Sequence, residues 1–117
     1  MKDIAKKANT MYLLEKYNMK ATKKFGQNFL IDLNVIQKIV ACTPIDQQTC
    51  VIEIGPGIGA LTEQLSYRAG HVVSYEIDTR LKAVLNESLQ ECTNVEVIFQ
   101  DFLTVDLKQV VHHYKQH

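Results

Sequence analysis

Thr49-Cys50-Val51-Ile52-Glu53-Ile54-Gly55-Pro56-Gly57-Ile58-Gly59-Ala60-Leu61-Thr62 is the stretch on which the fold turns. Its first six residues form an apolar, β-branched run that predicts a short buried strand. Three glycines at 55, 57 and 59 then break the run. Glycine lets backbone turn sharply and approach a ligand with no Cβ in the way. A helical stripe follows at Ile58, Leu61, Leu65 and Ala69, and Gly70 is expected to stop that helix as a C′ residue.

The same alternation continues outward. His71-Val72-Val73-Ser74-Tyr75-Glu76 reads as a second strand. Leu81, Val84, Leu85, Leu89 and Cys92 mark a helix, and Val95-Glu96-Val97-Ile98-Phe99 a third strand. A further helix is expected from about Val105 to the end. Upstream, Ile4, Ala8, Met11, Leu14 and Tyr17 place a helix over residues 4–18. Lys20 to Gly26 reads as a basic connector. Asp32 can cap a helix with the stripe Leu33, Ile36, Ile39 and Val40, and Pro44 lies past its end. Strand, helix, strand, helix, strand predicts an α/β fold with parallel strands joined by right-handed crossovers. Three strands with flanking helices are the first half of a doubly wound, Rossmann-like sheet, here preceded by N-terminal helices. The chain is therefore expected to be the N-terminal part of a longer protein. Residues 1–24 are a basic helical segment and residues 25–117 the start of a nucleoside-binding domain. An open strand edge on such a piece invites dimerisation or domain swapping.

Composition narrows the class. The 117 residues are 46% apolar and 22% charged, with 13 basic and 13 acidic side chains. No apolar run approaches the ~20 residues of a membrane span, and no secretory leader is visible. The zero charge is uneven: residues 1–24 hold seven lysines and two acids, a charge of +5, which leaves −5 for residues 25–117. Such a leader can meet phosphate backbones or can simply be a solvated helix. Cys42, Cys50 and Cys92 form no C-x-x-C pair, which argues against a disulfide framework or a zinc site. Cys42 and Cys50 are read as small core residues, and a reducing cytoplasm fits.

Three carboxylates arbitrate what the glycine loop binds, because Gly55-x-Gly57-x-x-Ala60 alone also satisfies a relaxed dinucleotide fingerprint. Glu76 ends the second strand, 21 residues after Gly55, where a carboxylate can accept both hydroxyls of a ribose. Glu53 precedes the loop by two residues; it would repel a diphosphate and attract an ammonium group. Asp101 follows the third strand, placed to accept from an adenine amine. A structural loop with no ligand is the competing reading. Together the acids suit a ligand with a ribose, an adenine, an ammonium and a carboxylate, which describes S-adenosyl-L-methionine.

At Lys24-Phe25-Gly26-Gln27-Asn28-Phe29-Leu30, Glu53-Ile54-Gly55-Pro56-Gly57-Ile58-Gly59-Ala60-Leu61-Thr62, Glu76-Ile77-Asp78 and Gln100-Asp101-Phe102 the chain closely resembles the ribosomal RNA adenine dimethyltransferases. The resemblance covers about residues 10–107, and Gly-Gln-Asn-Phe-Leu is its most specific part. It implies the class I methyltransferase fold. It also implies transfer of two methyl groups from S-adenosylmethionine to the exocyclic amine of each of two adjacent adenines. The implied target is a hairpin loop near the 3′ end of small-subunit (16S) rRNA, in the pre-30S particle. By resemblance Asn28 and Leu30 line the methionine end of the cofactor with Gln27 beside them, Gly55 approaches it through backbone, Glu76 holds the ribose and Asp101 the adenine. Gly57 belongs to the same loop. Phe102 could flank the adenine, whereas Phe29 is read as packing. The family's Asn-Leu-Pro-Tyr segment, which grips the target adenine, has no match after Leu107, so this chain alone is expected to be inactive. His112, His113 and His117 are read as solvated tail residues, not bases or metal ligands. The alternatives are an erythromycin-resistance type enzyme acting on large-subunit rRNA, a nicotinamide oxidoreductase, and a non-catalytic RNA-binding or assembly factor.

Overall fold

A computed structural model describes residues 1–19 and 32–115. Three parallel strands, β1 (Cys50–Ile54), β2 (His71–Glu76) and β3 (Val95–Phe99), lie in the order β1-β2-β3. α3 (Ala60–Ser66) links β1 to β2; α4 (Lys82–Ser88), entered through a 3-10 turn at Thr79–Leu81, links β2 to β3. α1 (Lys7–Lys16) and α2 (Leu33–Ala41) come before the sheet, and α5 (Leu107–Lys115) after it. This is the expected α/β architecture, with each strand present at the expected place.

Register decides which side chains meet. Glu53 pairs with Ser74, Val72 with Val95, and Glu76 with Phe99. Side chains alternate across a strand, so Glu53, Ser74 and Glu76 share one face with Val51, Val72, Val95 and Val97. That face carries the main core, where Val72, Leu81 and Val84 are fully buried and Leu65, Ala69, Leu85 and Leu89 nearly so. The opposite face carries α5: the Tyr114 hydroxyl donates to Glu96 at 2.6 Å, and its ring lies 5.2 Å from His71. β1 forms one edge of the described sheet, and Ile54 at its end is 63% exposed.

Local signals behave as their chemistry requires. Asp32 caps α2 by accepting from the Asn34 amide at 2.7 Å, and Ile36 and Val40 turn inward. Residues 1–19 add Ile4, Ala5, Leu13 and Met19 to the same core. The Asp3 and Ile4 amides donate to the fully buried Glu63 of α3 at 2.7 and 2.8 Å.

Four expectations are corrected. Cys42 and Cys50 are exposed, because one ends α2 on its outer side and the other starts an edge strand. Ile39 is also exposed. In α1 the inward residues are Thr10 and Leu13, not Ala8 and Met11; Thr10 tolerates burial because its hydroxyl donates to the Ile4 carbonyl at 2.8 Å. Gly70 is absent from the glycines with positive φ, so it is not a left-handed stop. It is needed for close approach: a Cβ there would fall 2.2 Å from the Gln47 carbonyl oxygen. Gly70→Ala is therefore expected to destabilise the fold by about 2 kcal/mol, the scale of overpacking against backbone that cannot yield, as read by urea denaturation.

Candidate functional site

The glycine loop leaves the carboxyl end of β1 through three left-handed residues, Gly55, Gly57 and Gly59, with φ of 75°, 60° and 94°. An L side chain in that region costs ~1–2 kcal/mol, which accounts for the alternating glycines. The Gly55 amide donates to the Tyr75 carbonyl of β2 at 2.8 Å, and the Gly59 amide to the Pro56 carbonyl at 2.9 Å. The two ends of the loop differ in surroundings. A Cβ on Gly59 would meet Leu89 at 3.0 Å, whereas a Cβ on Gly55 would meet nothing within 4 Å. Gly59 therefore faces packed core and Gly55 faces open space, a cradle that a side chain would begin to fill.

Glu76 is 5% exposed and turned toward this loop. One oxygen accepts from the Gly57 amide at 3.3 Å and the other from the Asp78 amide at 3.0 Å. Asp78 is pinned in turn by Arg80, whose guanidinium approaches at 2.7 Å. Glu53 lies beneath the loop. Its Oε1 accepts from the Thr62 hydroxyl at 2.5 Å and the Ser74 hydroxyl at 2.7 Å. Burial pushes the Glu53 carboxyl above its ordinary range; the Thr62 and Ser74 hydroxyls oppose that shift and the nearby Glu76 charge adds to it.

The end of β3 is stitched beside Glu76, since the Gln100 amide donates to the Glu76 carbonyl at 3.0 Å. Asp101 follows and caps a 3-10 turn at Phe102–Thr104 by accepting from the Leu103 amide at 3.0 Å. Phe102 meets Tyr75 edge-on, with ring centroids 5.3 Å apart, and Tyr75 belongs to the face that carries α5. The structure thus joins Glu53, Glu76, Gly55 and Gly57 in one place and stations Asp101 at the end of the neighbouring strand. Gln27, Asn28 and Leu30, like His117, lie outside the described residues.

Sequence reasoning missed several contributors. Thr62 and Ser74 read as an ordinary helix residue and strand residue, yet both hold Glu53. Ile77, next after Glu76, and Leu103, two residues after Asp101, are 50% and 93% exposed. A separate cavity of about 550 Å³, bounded by Thr49, Cys50, His71, Val110 and Tyr114, opens at the amino ends of β1 and β2, away from the loop. Among the described residues no group of three or more His, Cys, Asp or Glu could hold a metal ion, and no helix is long and apolar enough to cross a membrane.

With that geometry in place, similarity to known proteins is informative. The family model described as ribosomal RNA adenine dimethylase matches residues 18–117. A Staphylococcus aureus (strain Newman) protein named ribosomal RNA small subunit methyltransferase A is 50% identical over 115 residues, which cover 98% of this chain and 39% of that protein. The chain therefore spans well under half the length of the curated relatives it matches. The crystal structure of the 23S rRNA methyltransferase ErmE superposes with a TM-score of 0.63 at 44% identity, over 68% of this chain and 32% of that one. A dimethyladenosine transferase from Plasmodium falciparum gives a TM-score of 0.57 at 28% identity, over 62% and 27% of the two chains. The Rossmann-like arrangement is that of the class I methyltransferases.

The buried carboxylate beneath the loop makes stability depend on pH with a definite sign. A carboxyl raised above its unfolded pKa of about 4.3 contributes fully below that pH, and the contribution is lost as pH rises through the folded value. Glu53→Gln keeps an oxygen acceptor and removes the titration. The variant is expected to gain stability relative to the parent chain between pH 4.5 and pH 7.5, with the urea midpoint as readout. A gap that does not change with pH would contradict the raised carboxyl.

Proposed function

The chain belongs to the ribosomal RNA adenine dimethylase family, and from that premise we propose the activity of the whole protein. It transfers methyl groups from S-adenosylmethionine to the exocyclic amines of two adjacent adenines in a 3′-end hairpin loop of small-subunit (16S) rRNA. The step belongs to maturation of the pre-30S subunit in the cytoplasm. The observation that carries this reading is Glu76, buried at the end of β2 and hydrogen-bonded to Gly57 of the open loop.

The residues present fit the cofactor. Open space beside Gly55 admits a nucleoside against bare backbone. Glu76 has one oxygen on the loop amide of Gly57 and the other on the Asp78 amide after β2, and can exchange these donors for ribose hydroxyls. Asp101 would accept from the adenine amine, and Phe102, Ile77 and Leu103 supply apolar surface near it. Glu53 contributes negative potential under the ammonium end, and Gln27, Asn28 and Leu30 would hold the methionine end. Two carboxylates at one loop oppose a diphosphate, which argues against the nicotinamide reading.

When bound, S-adenosylmethionine supplies a methyl group already activated on a sulfonium, so the protein's task is placement. The adenine amine is a weak nucleophile because its lone pair is delocalised into the ring. The target base must be turned out of its stack and held with that lone pair aimed at the methyl. No residue of this chain is assigned as a general base. The family's Asn-Leu-Pro-Tyr grip is not among the 117 residues, so this chain alone is expected to transfer no methyl group. The likeness to ErmE favours a second reading, methylation of large-subunit rRNA.

Primer extension across both rRNAs, in a deletion strain complemented with the whole protein, separates these readings. Restored stops at paired adenines in 16S rRNA are expected. Stops confined to 23S rRNA would support the second reading, and stops in neither would refute both. Gly55→Ala isolates the loop. It should lower stability by only ~1 kcal/mol, the strain of a left-handed alanine, yet weaken S-adenosylhomocysteine by about tenfold or more, because the new methyl occupies the approach to backbone. Calorimetric titration beside thermal melting checks both halves.

A further inference from the structure

Contacts behind the glycine loop go unused in the cofactor reading. Ser88, the last residue of α4, is fully buried. Its hydroxyl donates to the Ile58 carbonyl, inside the loop, at 2.7 Å. Its own carbonyl accepts from the Met1 ammonium at 3.4 Å. The bare side of Gly59 faces the same place, since a Cβ there would lie 3.2 Å from Ser88 Oγ and 3.0 Å from Leu89. The back of the loop is therefore seated on the end of α4. That end is braced from the N-terminal segment: Glu87 accepts from the Lys16 ammonium and the Tyr17 hydroxyl, each at 2.5 Å, and these partners, Lys16 foremost, hold its carboxyl down to about 2.

A peptide plane in a turn can rotate between two orientations at little cost when one neighbour is glycine. The plane between Ile58 and Gly59 has Gly59 on one side, at φ 94°. Its N–H donates to the Pro56 carbonyl at 2.9 Å, and a second hydrogen bond, from a buried hydroxyl to its carbonyl, locks that orientation from the other side. We propose that Ser88 is a positioning residue for the cofactor: by holding the Ile58 carbonyl it fixes that peptide plane and, through it, the presentation of the Gly55–Gly57 backbone to the nucleoside. Ser88 touches neither cofactor nor substrate. The proposal rests on the cofactor reading above for its functional consequence, and on the loop geometry alone for its structural one.

The test compares Ser88→Ala and Ser88→Cys with Thr10→Ala in the 117-residue chain. Thr10 is equally buried and donates to the Ile4 carbonyl at 2.8 Å, a hydrogen bond of the same kind that does not touch the loop. S-Adenosylhomocysteine is titrated well below each variant's melting temperature, and hydrogen exchange of the Gly59 amide is followed without ligand. Ser88→Ala should weaken binding by about fivefold, Ser88→Cys should recover part of that through its weak S–H donor, and Thr10→Ala should stay within about twofold. Gly59 exchange should quicken only in the Ser88 variants. Equal effects of Ser88→Ala and Thr10→Ala on binding and on Gly59 exchange would overturn the proposal. If the alanine variant does not fold, unchanged Gly59 exchange in Ser88→Cys would do the same. If the unaltered chain does not bind S-adenosylhomocysteine, the titrations are made in the whole protein, whose failure to bind would bring down the cofactor reading, and Gly59 exchange alone decides the role of Ser88.

Discussion

Glu53 closes the glycine loop. It stands on β1 and, through one oxygen, accepts from Ser74 on β2 and from Thr62 on α3. Residues 54–61 thereby become a ring tied at its base to both neighbouring elements. A loop with fixed ends has less freedom to lose when a ligand orders it. The tie places a carboxylate in a buried position, and the same burial that makes its hydrogen bonds strong pushes its pKa upward. A neutral amide would hold the ring with less electrostatic cost. What the acid adds over an amide is negative potential, which suits the cationic ligand proposed above.

The rest of the molecule can be ordered around that ring. β2 brings Glu76 to its open side, and the end of β3 is fastened beside Glu76 through Gln100. α4 supports the closed side through Ser88 and Leu89. α3 has only seven residues, too few to be stable without tertiary contacts. Its buried Glu63 answers this by taking the Asp3 and Ile4 amides, which join the start of the chain to the helix behind the loop. The N-terminal segment, lysine-rich on its outer surface, is thus also part of the core through Ile4 and Leu13.

Much of this was legible before any coordinates. Each strand announced itself as a β-branched run ending in an acid or a turn, because a parallel strand covered on both faces needs apolar side chains on both. Asp32 was legible as a cap, since an Asp before an apolar stripe has few better uses. The failures share one cause. Cys42, Cys50 and Ile39 are apolar but exposed, and Thr10 is polar but buried. Periodicity identifies a helix or a strand, whereas which face is inward depends on neighbours distant in sequence. Gly70 looked like a helix stop, although its true constraint is the Gln47 carbonyl, a contact between loops that no local pattern encodes.

The sequence by itself determined the alternation of strands and helices, the glycine loop and the three strand-end acids, because these follow from short-range sterics and from the period of apolar residues. Only the tertiary structure decided what those acids touch. Parallel pairing in one register sets Glu53 opposite Ser74, and the α3 crossover brings Thr62 back over both. A shift of one residue would have turned Glu53 to the face that carries α5 and left the loop without its base, since side chains reverse sides at every step along a strand.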